Sequence, residues 1–224
     1  MSEEFLIPRE KYLASGIHIG MKQRTKQMSP FVYKIRSDGL AVMNLQTIDE
    51  RLRIASKFLA NSKKILIVSR KSVAHDAIEK FSELIGAKNV KGRFMPGMLT
   101  NPHYKDFYEA ETVIVVDPMA DYQVLNEAVS ARVPVVAICD TLNETNNVDF
   151  IIPANNKGIR SLTLLFWILA REILKLRGEI KSDEEFKYTL DDFAKISDIE
   201  REPREVVRKS KRPARSKQRS SRRN

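Results

Sequence analysis

Short runs that are apolar at every position recur along the chain, at residues 65–68, 113–116, 133–138 and 150–152, with a weaker fifth at 40–45. Each is bounded by polar or turn-forming residues. Continuous runs, as opposed to alternating ones, suit strands buried on both faces of a parallel sheet. Between them the apolar spacing changes to a helical period. Thr47 and Glu50 form a capping-box pattern opening a helix over 48–61, with Ile48, Leu52, Ala55 and Leu59 on one stripe. Ser72 opens a second helix over 72–85, closed by Gly86, with Ala77, Ile78 and Phe81 facing inward. A third covers 121–132. The longest, 158–177 ahead of Gly178, carries Leu162, Leu165, Phe166, Trp167, Leu169 and Ile173, which predicts a helix sunk in the core, Trp167 included.

Strands alternating with helices of this length imply right-handed crossovers and an α/β fold, a doubly wound parallel sheet with helices on both faces. Ser182 and Glu185 repeat the capping pattern ahead of Phe186, Leu190 and Phe193, so a short acidic C-terminal helix is expected on the surface. After Pro203 the chain has almost no apolar side chain to bury, which predicts a disordered basic tail. Four regions follow: an N-terminal helix and basic segment (1–39), the α/β core (40–180), the acidic helical extension (181–202) and the tail (203–224).

Charge placement adds direction to this outline. The formal net charge is +10, but residues 206–224 hold nine Lys/Arg and no acid, so the other 205 residues sum to +1. Residues 11–37 hold six Lys/Arg and no acid, whereas 179–192 hold six Asp/Glu against two Lys. One-signed faces of this kind favour polyanions, and nucleic acid is the commonest polyanion for such a protein. The longest apolar stretch, 162–170, is far short of the roughly 20 residues a bilayer needs, the start lacks a targeting pattern, and the single Cys139 forms no internal disulfide. A cytoplasmic location is expected.

Enzymatic chemistry has few candidates. No Gly-rich phosphate loop and no nucleophile elbow occurs, and His18, His75 and His103 are scattered, so no metal or cofactor is expected. Asp117 and Asp140 end two neighbouring strands, where such sheets bind ligands, and an alternative reading makes the chain a nucleotide- or sugar-phosphate-binding α/β enzyme using this pair. We take instead the reading in which both begin turns or cap helices. The basic segments are richer. Lys22, Arg24, Lys26, Lys34 and Arg36 interleave with Phe31 and Tyr33, a mixture that grips phosphates and stacks bases, or else a solvated loop with core aromatics. Lys157 and Arg160 flank a helix start whose amides suit a phosphate. Arg93, beside Lys88 and Lys91, is a weaker addition, and Arg208, Lys209, Lys211 and Arg212 belong to the tail.

Several of these residues lie in motifs that carry a resemblance. The ordered set YLASGIHIGMKQRTKQMSPFVYKIRSDGLAVMNL, GRFMPGMLTNP, VIVVDPMADYQVLNEA, VPVVAICDT and VDFIIPANNKGIRSLTLLFWILARE resembles the small-subunit ribosomal protein S2 family in its archaeal and eukaryotic form, from Tyr12 to about Gly178. The resemblance implies a flavodoxin-like sheet, no catalysis, no small-molecule substrate, and attachment to small-subunit ribosomal RNA near the junction of head and body. Neighbouring small-subunit proteins are the other partners it implies, with no membrane, and the ribosome in the cytoplasm is the implied location. Bacterial members carry a long helical hairpin where this chain has only NPHYKDFYEAET, and the arginine-rich end lies outside the resemblance, so its contact with RNA rests on charge alone.

Overall fold

The computed structural model describes residues 5–180 and 183–194. In chain order these form α1 (Arg9–Ser15), a hairpin of β1 (Val32–Ile35) and β2 (Ala41–Met43), then α2 (Leu45–Asn61), β3 (Ile65–Ser69), α3 (His75–Ile85), β4 (Lys88–Lys91), β5 (Thr112–Val115), α4 (Tyr122–Ala131), β6 (Val135–Cys139), β7 (Phe150–Pro153) and α5 (Ile159–Leu176). The main sheet is parallel in the order β4-β3-β5-β6-β7, the flavodoxin-like order, with its change of direction between β3 and β5. Every residue of β3, β5 and β6 is buried, as their unbroken apolar runs require.

Burial divides between the two faces. Residues of α2, α3 and α5 pack on one, where α5 lies between the other two with twelve of its eighteen residues buried. The other face is covered by α4 together with Phe94, Met98 and Leu99 from the helix-free stretch between β4 and β5. Helices thus lie on both faces. The entering chain is fastened to α2: Asp49 Oδ1 accepts from the Tyr12 hydroxyl at 2.7 Å and the Leu6 amide at 2.9 Å, while Arg53 Nε meets Asp49 Oδ2 at 2.9 Å. Burial and the adjacent carboxylate push the Tyr12 phenol up, so it stays a neutral donor.

Five expectations change. The run at 40–45 is not a strand of the main sheet, because β2 pairs antiparallel with β1 instead. The fifth parallel strand is β4, whose Lys-Asn-Val-Lys sequence is half-buried at an edge and gives no apolar signal. Helix α2 starts three residues early, since Asn44 Oδ1 caps it by accepting from the Gln46 amide, and Thr47 does not. Between 183 and 194 there is no α-helix. Two 3-10 turns, Asp183–Glu185 and Asp191–Phe193, tuck Phe186 and Phe193 inward and leave Leu190 exposed, the first tied to α5 through Asp183 on Arg171 and Lys175 and the second closed by Thr189 on Asp192. Trp167 lies at the rim of the core, half-buried, donating from Nε1 to the Tyr188 carbonyl at 2.8 Å and meeting Phe186 edge-on at 5.6 Å.

Candidate nucleic-acid interface

The carboxyl ends of the parallel strands carry a dense polar network. Lys71, just after β3, places Nζ 2.6 Å from Asp117 Oδ2 and 3.1 Å from Asn156 Oδ1. Asn143 Nδ2 donates to Asp117 Oδ1 at 2.7 Å, and Asn156 Nδ2 donates to the carbonyls of Val116 and Ile138 and to Asn143 Oδ1. In open α/β sheets this crevice is where a ligand sits. Here the Lys71 side chain and two asparagines fill it.

Asp117 and Asp140 do form turns, accepting from the amides of Met119 (3.2 Å) and Thr141 (2.6 Å). Asp117 does more than was expected of it, because it is also the buried partner of Lys71. Burial raises the Asp140 carboxyl above its ordinary value and pushes the Cys139 thiol up. No group of three or more His, Cys, Asp or Glu is placed to hold a metal among the described residues.

Asp121, at the start of α4, gives that helix no cap bond and instead receives the Arg70 amide on both oxygens, at 3.1 and 3.3 Å. Burial pushes its carboxyl up to about 6. The folded state therefore holds this proton more tightly than the unfolded chain does. Its contribution to stability is present below about pH 4 and is lost as pH rises through about 6. Asp121→Asn should remove that loss: between pH 4 and pH 7 the variant should gain on the parent by about 2–3 kcal/mol in urea unfolding. A gain in the opposite direction would refute the assignment.

The cations surround this network. Residues 21–27 are laced to the loop after β6. The Met21 amide donates to Thr141 Oγ1 (2.9 Å), the Thr25 amide to the Thr141 carbonyl (3.0 Å) and the Thr25 hydroxyl to the Asn143 carbonyl (2.9 Å), while Gln27 exchanges bonds with Asn146 and Thr145. Gly20 permits this approach, since a Cβ there would stand 2.5 Å from Thr141 Cγ2. Lys157 and Arg160 enter from the start of α5, itself joined to the N-terminal segment by the Asn155 amide on the Ile17 carbonyl at 2.9 Å. Arg93 follows β4, after Gly92 donates to the Ser69 carbonyl at 2.8 Å.

Lys22, Arg24, Lys26, Lys34, Arg93, Lys157 and Arg160 are all exposed, and none forms an ion pair with another described residue. Arg36 has only an exposed 3.6 Å contact with Asp38. Away from this end, Lys64, Lys80, Lys175 and Arg171 are paired with acids, whereas Lys57, Lys63, Lys105 and Arg132 are exposed and form no ion pair with a described residue. Of the weaker group, Lys91 pairs with Glu79 and Lys88 lies over the Tyr108 ring, which leaves Arg93 alone available. Arg70, exposed and without an ion pair to a described residue, was missed because it follows a strand with no neighbouring basic residue but Lys71.

Two details differ from expectation. Phe31 is buried, with the Arg51 guanidinium over its ring and over that of Phe150, so only Tyr33 is presented outward. The amides of Lys157 and Gly158 are taken by Asn155 Oδ1 at 3.0 and 3.3 Å. The helix start is thus partly satisfied by its own chain. Arg208, Lys209, Lys211 and Arg212 lie outside the described residues.

The model of the family described as ribosomal protein S2 matches residues 12–106 and 103–175. The small ribosomal subunit protein uS2 of Picrophilus torridus is 49% identical over 195 residues, covering 86% of this chain and 98% of that protein. Those of Thermoplasma acidophilum and Thermoplasma volcanium are 48% and 46% identical over the same shares. The match runs from α1 through the sheet and its turns into α5, and with relatives near half identity over almost their full length, the chain belongs to the ribosomal protein S2 family.

Proposed function

We propose that the protein is a structural constituent of the small ribosomal subunit in the cytoplasm, held against ribosomal RNA near the head–body junction by the carboxyl end of its sheet. Proteins of this family are components of the ribosome and not enzymes. The observation that carries the RNA reading is the convergence of exposed cations that form no ion pair with a described residue, from four separate segments at Lys22–Lys26, Arg70, Arg93 and Lys157–Arg160, on one end of the sheet. Fixed cations of this kind contact phosphates and set the register of the protein on RNA. Lys34, Arg36 and the exposed Tyr33 extend the surface along the hairpin. The tail cations Arg208, Lys209, Lys211 and Arg212 add screened attraction.

The acidic stretch near 183–194 turns its carboxylates to solvent or to a basic protein neighbour. Some are already engaged: Asp183 pairs with Arg171 and Lys175, which hold its carboxyl below the usual range against the effect of burial. Among the described residues no helix is long and apolar enough to cross a membrane. Sedimentation of a cell extract through sucrose tests the assignment. The protein should travel with small subunits and leave them in high salt, and a protein found only at the top of the gradient in low salt would overturn it.

A further inference from the structure

Apart from the cations at the strand ends, residues between Phe5 and Gln46 line a cleft of about 570 Å3 between α1 and the β1–β2 hairpin. That is within the roughly 300–1,000 Å3 of small-ligand sites. Arg9 and Leu13, one turn apart on α1, form one side, and Tyr33, Lys34 and Arg36 form the other. Leu13 is 46% exposed and Tyr33 70%, an uncommon degree of exposure for side chains of this size on opposite sides of one opening.

Tyr33 is also placed deliberately by the backbone. The pairing of β1 with β2 slips between Val32, opposite Met43, and Lys34, opposite Val42, so Tyr33 is the extra residue of a bulge. Bulges re-aim side chains and recur beside binding sites. The hairpin itself is anchored by the Met43 amide on the His18 carbonyl (2.8 Å) and the Gly20 amide on the Ala41 carbonyl (2.9 Å), so the ring is held on a fixed support. Burial and the nearby Arg36 keep the His18 imidazole below its ordinary value, and Arg9, Lys34 and Arg36 line the same opening.

We propose that this cleft takes an unstacked nucleotide of single-stranded or bulged RNA, its base lying against Tyr33 and Leu13 and the flanking phosphates held by Arg9 and Lys34. The inference rests on the RNA-facing reading above and adds to it a site that distinguishes unpaired from paired RNA. An exposed aromatic ring with cations on either side suits a base with its two phosphates, because every base offers a face to stack and a backbone charge at each end. A duplex, with its bases already stacked, cannot use it.

The test uses the full chain and two fluorescein-labelled probes, a seven-nucleotide single-stranded RNA of mixed sequence and the blunt duplex of the same sequence, followed by anisotropy. Tyr33→Ala should weaken binding of the single strand roughly tenfold and leave the duplex unchanged, whereas Tyr33→Phe should bind both as the parent does. Leu13→Ser should act in the same direction. Both positions are exposed, so an unchanged thermal melt accompanies each variant. Parental affinity of Tyr33→Ala for the single strand, or equal losses for strand and duplex, would overturn the proposal. So would a Tyr33→Ala protein that binds both probes normally but no longer travels with small subunits, which would put a protein partner in the cleft. A parent chain that neither binds RNA nor travels with small subunits would instead remove the ribosomal reading itself.

Discussion

Gly20→Ala should cost about 2–4 kcal/mol of folding stability and loosen the whole basic segment, an effect far out of proportion to one methyl group. The ideal Cβ would stand 2.5 Å from Thr141 Cγ2, 2.8 Å from Thr141 Oγ1 and 3.1 Å from Asp140 Oδ1. Thr141 cannot retreat cheaply. Its hydroxyl binds the Met21 amide, its carbonyl binds the Thr25 amide, and its own amide is held by Asp140 at 2.6 Å. Relief of the clash therefore breaks the bonds that seat residues 21–25. A double-mutant cycle with Thr141→Ala isolates the cause. Thr141→Ala alone loses the hydroxyl bonds, but it also removes the two nearest of the three atoms that crowd residue 20, so the two substitutions should cost less together than the sum of their separate costs. Urea unfolding of the four proteins checks this. Strictly additive losses would mean that the contact with Thr141 is not why glycine stands there.

The difference between what could and could not be read along the chain follows from the range of the interactions. Burial on both faces of β3, β5 and β6 leaves a signal in consecutive residues, and so does the end of α3, where Gly86 takes the left-handed conformation at φ 70°. Strand β4 leaves none, because an edge strand is half wet and its pairing partner supplies the order. Residues 183–194 mislead for a related reason. The capping pattern and the apolar spacing are both there, yet the rings of Trp167 and Phe186 and the Trp167–Tyr188 hydrogen bond draw the segment onto α5 in two separate turns. Tertiary contacts of this kind override local preference.

The candidate interface was legible as a list and not as a place. Lys22, Arg24 and Lys26 stand out as a basic run, but the bonds that position them reach across more than a hundred residues to Thr141 and Asn143. Nothing local announces such a pairing. The filling of the crevice by Lys71 is equally remote, since its partners Asp117 and Asn156 belong to other strand ends. That contact ties together the ends of three strands. It also changes what the two aspartates mean: Asp140 is a turn residue, whereas Asp117 neutralises a lysine, so Asp117→Asn leaves that ammonium without its buried counter-charge.

Changing Lys22, Arg24, Lys26 and Arg36 together to glutamine should abolish the preferred site on small-subunit RNA, the largest loss of function expected from any surface change in this protein. All four are exposed, and three of them make no ion pair with a described residue, so the fold should survive intact. What disappears is register. The segment carrying Lys22, Arg24 and Lys26 is fixed to the loop after β6 by several hydrogen bonds, and cations held in that way touch particular phosphates. Deleting residues 206–224 removes nine cations from the other end of the chain and should behave differently. Each lost contact with an irregular RNA phosphate should lower the slope of log affinity against log salt by about 0.7, while the footprint stays where it was. Chemical footprinting of small-subunit RNA at two salt concentrations distinguishes the pair. The quadruple variant should show weak protection without a preferred place, and the tail deletion should show the parental footprint at lower affinity. If the tail deletion erased the footprint and the quadruple variant kept it, the primary RNA face would not be the carboxyl end of the sheet.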